Sequence, residues 1–208
     1  MQDFHALAQP WWVNLLAFIP FVAWTLWRRK PLAVSGRQLI LLAVFASAFG
    51  FVESAAVIYL RAATGLLPGY RGTLSDIRQS SPGIYKQEES IAEFPESLLT
   101  IEVLREAATM VMLTTVALLA GARLRERCAI FLWTFAVWDI SYYAALWATV
   151  RWPSSLKDMD VLFLIPVPWI SQVWFPILVS LLTLVAVSAA WKRGGPVGAG
   201  SLESREGR

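Results

Sequence analysis

One cysteine and one histidine are all that this chain offers the chemistry those residues usually carry. Cys128 has no partner for an internal disulfide and excludes a multi-cysteine metal site. His5 excludes a two-histidine catalytic pair within one chain, and its place near the terminus reads as a solvated residue. Serine or cysteine hydrolysis needs a base such as histidine beside the nucleophile. Carboxylate-type iron sites use Glu-x-x-His on facing helices. Neither pattern is present, and no glycine-rich phosphate loop or aspartate-rich diphosphate motif supports phosphoryl or prenyl transfer. The N-terminal "MQDFHALAQPWW" lacks a basic region and a small-residue cleavage site, so no cleaved signal peptide is expected. There is no internal repeat.

Charge is scarce too. Only 16% of the residues are charged and 57% are hydrophobic, where a soluble domain carries about 25% charge. The charges lie mostly between long apolar stretches, and many of the 11 tryptophans stand near the ends of those stretches, where an interfacial aromatic belt would put them. The expected fold class is all-α, a polytopic membrane bundle of about five transmembrane helices. The net charge of +3 comes largely from bases beside helix ends, so the implied partner is the lipid bilayer and not nucleic acid.

Crossing about 30 Å of hydrocarbon takes about 20 apolar residues. Residues 1–193 read as the bundle, with helices near 11–27, 38–60, 95–121, 128–150 and 171–191. The first is short and contains Asn14 and Pro20. The third opens at Pro95, a favoured first-turn residue. Residues 62–94 are polar and read as an outer loop, with room for a short helix before Pro95, and 194–208 read as a disordered cytoplasmic tail. If the five helices alternate, eleven bases fall on one side: Arg28, Arg29, Lys30, Arg37, Arg123, Arg125, Arg127, Lys192, Arg193, Arg205 and Arg208. The positive-inside rule then places the C-terminus in the cytoplasm and the N-terminus outside.

"DVLFLIPVPWISQVWFP" (160–176) breaks the pattern. From Val161 to Trp191 no charge appears, which is longer than one span needs. Pro166-x-Pro168 cannot continue a helix, because each proline lacks an N–H and clashes with the preceding turn. Residues 161–169 therefore read as a Pro-broken interfacial or re-entrant segment. At membrane depth such a backbone must be buried in protein or face a cavity, so it is expected to cover whatever lies beneath.

Glu53, Glu102, Arg105, Glu106 and Asp139 fall inside the expected spans. Asp139 lies twelve residues from both Arg127 and Arg151, near the bilayer centre. The apolar run from Ala107 to Ala122 covers only about 24 Å at about 1.5 Å per residue, so Glu106 must lie within the hydrocarbon, with Glu102 near its outer edge. At 100° per residue, Glu102, Arg105, Glu106 and Thr109 share an arc of about 100°. Asp139, Tyr142, Tyr143 and Leu146 share a face of the fourth helix, and Ala46, Gly50, Glu53, Ala56 and Val57 share one of the second. Ala46 and Gly50 form a small-xxx-small pair that admits a close neighbour.

A charge at the bilayer centre costs roughly 2.5–3.5 kcal/mol on insertion scales. The three polar stripes are therefore expected to turn inward together, with Arg105 neutralising one or two acids and at least one carboxyl keeping its proton or holding a cation. Tyr142 and Tyr143 complete the candidate site as hydroxyl donors, although belt residues look the same in sequence. Networks of this kind also serve only to fix helix register, and Glu102 could snorkel to the surface.

"FGFVESAAVIYLR" (49–61), "LREAATMVMLTTVALLAG" (104–121), "VWDISYYAALW" (137–147) and the 160–176 string resemble a group of small bacterial multi-pass membrane proteins with no assigned activity. The resemblance covers the second to fifth helices and implies a bacterial inner-membrane location and a five-helix plan. It implies no reaction.

Three functions fit. The first is proton- or cation-linked transport of a small ion or polar solute, in which five helices would call for a homodimer or a larger membrane complex. The second is a membrane-embedded enzyme that uses a protonated carboxyl as acid or base, or a carboxylate-bound divalent metal. The third is a non-catalytic subunit that assembles or stabilises a larger complex. No cofactor is required. If a metal is held, its ligands are Glu53, Glu106 and Asp139, an all-oxygen set suited to Mg²⁺, Ca²⁺ or Mn²⁺.

Overall fold

A computed structural model describes residues 7–28, 32–63 and 96–192. The loop expected over 62–94, the short helix before Pro95 and the tail at 194–208 lie almost wholly outside the described residues, as does His5. The described chain is mostly helical. A 3₁₀ segment, Trp11–Phe18, runs into α1, Ile19–Trp27. There follow α2 (Gly36–Ala63), α3 (Glu96–Ala120), α4 (Leu124–Val150), strands β1 (Met159–Phe163) and β2 (Trp169–Gln172), and α5 (Trp174–Lys192).

Four helices, α2 to α5, are long and apolar enough to cross a membrane. Their outward faces carry Ile40, Val44, Phe51, Leu104, Val111, Leu119, Leu181 and Val185, all exposed, while Glu53, Glu102, Glu106, Thr109 and Asp139 are buried. Polar groups thus lie inside and apolar groups outside, as a hydrocarbon solvent demands.

The first helical stretch is shorter, and its geometry compensates. Asn14 accepts from Ala8 N–H at 2.9 Å and donates to the carbonyls of Ala8 at 2.9 Å and Trp11 at 2.8 Å. Pro20 has no N–H to extend α-helical bonding backwards. The residues between hold 3₁₀ geometry, which rises about 2.0 Å per residue against about 1.5 Å. Seventeen residues, Trp11–Trp27, thereby extend to roughly 30 Å, the thickness of the hydrocarbon.

One end of the bundle gathers the short connections. Gln38 donates to the Ala120 carbonyl at 2.6 Å, Arg125 to the Trp27 carbonyl at 3.4 Å, and Leu32 N–H to the Ala190 carbonyl at 3.5 Å. Trp27, Leu39, Ala117, Ile130 and Val187 pack into one cluster there. The α3–α4 corner is tight. Arg127 donates to the Gly121 carbonyl at 2.9 Å, and a Cβ on Gly121 would sit 2.7 Å from the Arg127 nitrogen. The Glu126 carboxylate accepts from Arg123 N–H at 3.1 Å, so α4 begins at Leu124, one turn before the expected 128.

Between α2 and α4 the backbones come close. A Cβ on Gly50 would stand 2.7 Å from the Trp138 carbonyl oxygen, and Ser141 donates to Ser47 at 3.2 Å. This contact fixes the facing stripes of the two helices.

The opposite end departs from an all-α plan. Residues expected as a Pro-broken segment and as the start of the last helix instead pair as an antiparallel hairpin, with Asp160 opposite Ser171 and Val161 opposite Ile170. Pro166, Val167 and Pro168 are exposed in its turn. Two short strands offer edges, and both are met from within the molecule. Gln9 and Ile170 exchange backbone hydrogen bonds of 2.8 Å on the far side of β2. Beyond β1, Leu164 N–H donates to the Glu106 carboxylate at 2.8 Å.

Candidate functional site

All seven residues singled out in the sequence, Glu53, Glu102, Arg105, Glu106, Asp139, Tyr142 and Tyr143, line one cavity of about 100 Å³ at the hairpin end of the bundle. Four helices and the hairpin supply its polar and aromatic lining. From α2 comes Glu53, and from α3 come Glu102, Arg105, Glu106 and Thr109. From α4 come Phe135, Trp138, Asp139, Tyr142 and Tyr143, and α5 adds Ser180. The hairpin closes the remaining side with Asp160, Val161, Leu162, Phe163, Leu164 and Trp169.

Helical phase explains the α3 contribution. Residues three, four and seven apart return to one face, so Glu102, Arg105, Glu106 and Thr109 all point the same way. Arg105 joins two helices. Its Nη2 donates to Glu102 Oε2 at 2.6 Å and its Nε reaches the same carboxylate at 3.2 Å. Its Nη1 forms an ion pair with Glu53 on α2. Glu53 also accepts from the Thr109 hydroxyl at 3.1 Å. A planar guanidinium suits this role, because its fork can hold one carboxylate while a further N–H takes the second. Glu102 does not snorkel away; it is buried against Arg105.

The other carboxyls meet neutral donors. Glu106 accepts from Leu164 N–H, and Asp139 accepts from the Ser180 hydroxyl at 2.8 Å. Asp160 accepts from the Tyr143 hydroxyl at 2.6 Å. Five carboxyls and one guanidinium therefore line the cavity among the described residues. No basic side chain among them lies within ion-pairing distance of Glu106 or Asp139.

Among the described residues no three of Asp, Glu, His or Cys are placed to hold a metal ion. Glu53 turns to Arg105 and Thr109, Glu106 to the hairpin backbone and Asp139 to α5, so the three expected ligands do not converge.

Sequence reading missed Asp160, Ser180 and the aromatic wall. Asp160 stands one residue before the charge-free run and outside every expected span; strand pairing brings it to the cavity. Ser180 had a legible signal, since Pro176, Ser180 and Thr183 recur at helical spacing on the largely apolar α5. Tyr143 is buried and bonded, unlike a belt residue, while Tyr142 is half-buried and stacks on Trp138 at 6.2 Å.

The chain matches no protein-family model, no curated protein and no solved structure. The resemblance to small bacterial membrane proteins rests on its sequence strings alone.

Proposed function

We propose that this chain is a bacterial inner-membrane protein of five helical passes whose outer half holds a site for proton- or cation-linked transport of a small solute. The single observation that carries the reading is the pair Glu106 and Asp139, buried in a cavity between apolar helices, each bonded to a neutral donor and neither in an ion pair among the described residues. An ionised carboxylate so placed costs several kcal/mol without a counter-charge, so each group holds a proton or a cation. Groups that exchange one for the other are what coupled carriers use.

Sidedness supports an outward site. Arg28, Arg37, Arg123, Arg125 and Arg127 stand at the end with the short connections, which the positive-inside rule assigns to the cytoplasm. The cavity is at the other end. The hairpin, whose backbone is held by Glu106, is the element that would yield to admit solute.

The test uses purified protein in proteoliposomes with a trapped pH dye. A pH gradient should dissipate faster when a transported cation is added, and Glu106→Gln and Asp139→Asn should abolish the effect at unchanged insertion. Flux that is unaltered in both variants removes the reading. If both variants instead lose the folded protein, the network is structural.

A further inference from the structure

The same cavity carries a second chemical signal besides its carboxyls. Tyr142, Trp138, Phe135, Phe163 and Trp169 form a continuous run of rings from α4 to the hairpin, with successive centroids 6.2, 5.4, 6.5 and 5.5 Å apart. All five line the cavity. Two of them are also unsatisfied. The indole N–H groups of Trp138 and Trp169 are buried and donate to nothing among the described residues, and Trp138 is only 7% exposed. A buried donor is expected to find an acceptor, and here neither helix nor hairpin supplies one.

These observations narrow the occupant. Five carboxyls disfavour an anion, and a purely apolar molecule would give Glu106, Asp139 and the two indoles no polar partner. A bare metal ion lacks a converging set of three ligands among the described residues and gains little from carbon walls. Aromatic faces do attract organic cations. The idle indoles ask, in addition, for an oxygen that accepts.

We propose that the cavity takes a small organic cation that also carries an oxygen: an amine or quaternary ammonium bearing a hydroxyl or carbonyl group. Its charge lies against the rings and the carboxyls of Glu106 and Asp139, and its oxygen accepts from the Trp138 and Trp169 indoles. The volume of about 100 Å³ restricts it to a compact molecule. This rests on the cavity being a solute site, and it adds the solute's class.

Titration calorimetry on the full chain in detergent tests it with four probes: choline, tetramethylammonium, the uncharged carbon isostere of choline, and potassium chloride. Choline should bind saturably. Tetramethylammonium, which lacks the oxygen, should bind about five- to hundredfold more weakly, the worth of two hydrogen bonds. The uncharged isostere should be at least about tenfold weaker, and potassium should not compete. Trp138→Phe keeps a smaller ring and removes the N–H, so both probes lose the same share of ring attraction and choline should weaken about two- to tenfold more than tetramethylammonium, a split that a merely structural role would not produce. Trp169→Phe is the second variant, with the same expected split.

The proposal is overturned if neither ammonium binds better than potassium, if the uncharged isostere matches choline, or if the folded Phe variants weaken both ammonium probes equally. Amine binding without proton flux in proteoliposomes would remove the transport reading alone. Flux without amine binding would remove this inference alone.

Discussion

Arg105→Met removes a guanidinium that two buried carboxylates share. Methionine keeps much of the aliphatic volume and no charge. Glu53 and Glu102 side chains are 8% and 9% exposed, so neither can recover its lost partner from bulk water, while Arg105 itself is 23% exposed. Removing one partner of a buried ion pair costs about 3–5 kcal/mol. The partial exposure of the guanidinium argues for the lower end, about 3 kcal/mol, or roughly a hundredfold in the folding equilibrium. The sign with pH follows from charge. At pH 8 the variant must bury the Glu53 and Glu102 carboxylates without the Arg105 charge, whereas at acid pH both can take protons, so the loss should shrink as pH falls. Glu53→Gln and Glu102→Gln, added to Arg105→Met, should restore most of the stability at pH 8. Unfolding by sodium dodecyl sulfate in mixed micelles, followed by circular dichroism, measures all of this. An Arg105→Met protein as stable as the parent at pH 8, or a triple variant no better than the single, would refute the reasoning.

Further outcomes follow from individual contacts. Gly50→Ala places a methyl 2.7 Å from the Trp138 carbonyl oxygen. Alanine is the better helix former by about 1 kcal/mol, yet the strain between α2 and α4 should win, with a net loss of about 1–3 kcal/mol in the same micelle assay; a stabilised variant would contradict the close approach. Tyr143→Phe removes the hydroxyl that donates to the buried Asp160 and should cost about 1–3 kcal/mol. Asp160→Asn in that background should cost much less than it does alone, and simple additivity in the double-mutant cycle would disprove the coupling. A fluorescent reporter fused at the C-terminus should fold in the cytoplasm; activity of a periplasmic reporter there would invert the topology.

Much of the site was legible because two rules act locally. Length and hydropathy outlined the helices, and 100° per residue aligned Glu102, Arg105 and Glu106 with Glu53 and Asp139 on facing stripes, since buried charge can only turn inward in hydrocarbon. The hairpin was not legible. "VLFLIPVPWI" is apolar on both faces, so it lacks the alternation by which a half-buried strand declares itself; its prolines exclude a helix without naming the alternative. The pairing of β1 with β2 is a tertiary fact, and with it came Asp160 and the Leu164 N–H on Glu106. The 3₁₀ stretch at Trp11–Phe18 was hidden for a similar reason, because Asn14 and Pro20 announce irregularity without stating which helical form absorbs it.

Infrared difference spectroscopy of the protein in lipid at neutral pH, with and without a bound cation, tests most directly whether Glu106 and Asp139 exchange protons for cations. The cation-free protein should show protonated carboxyl bands that Glu106→Gln and Asp139→Asn each diminish, and that disappear when the cation binds. Spectra without such bands, or with bands indifferent to both substitutions and to the cation, would contradict the proposed exchange.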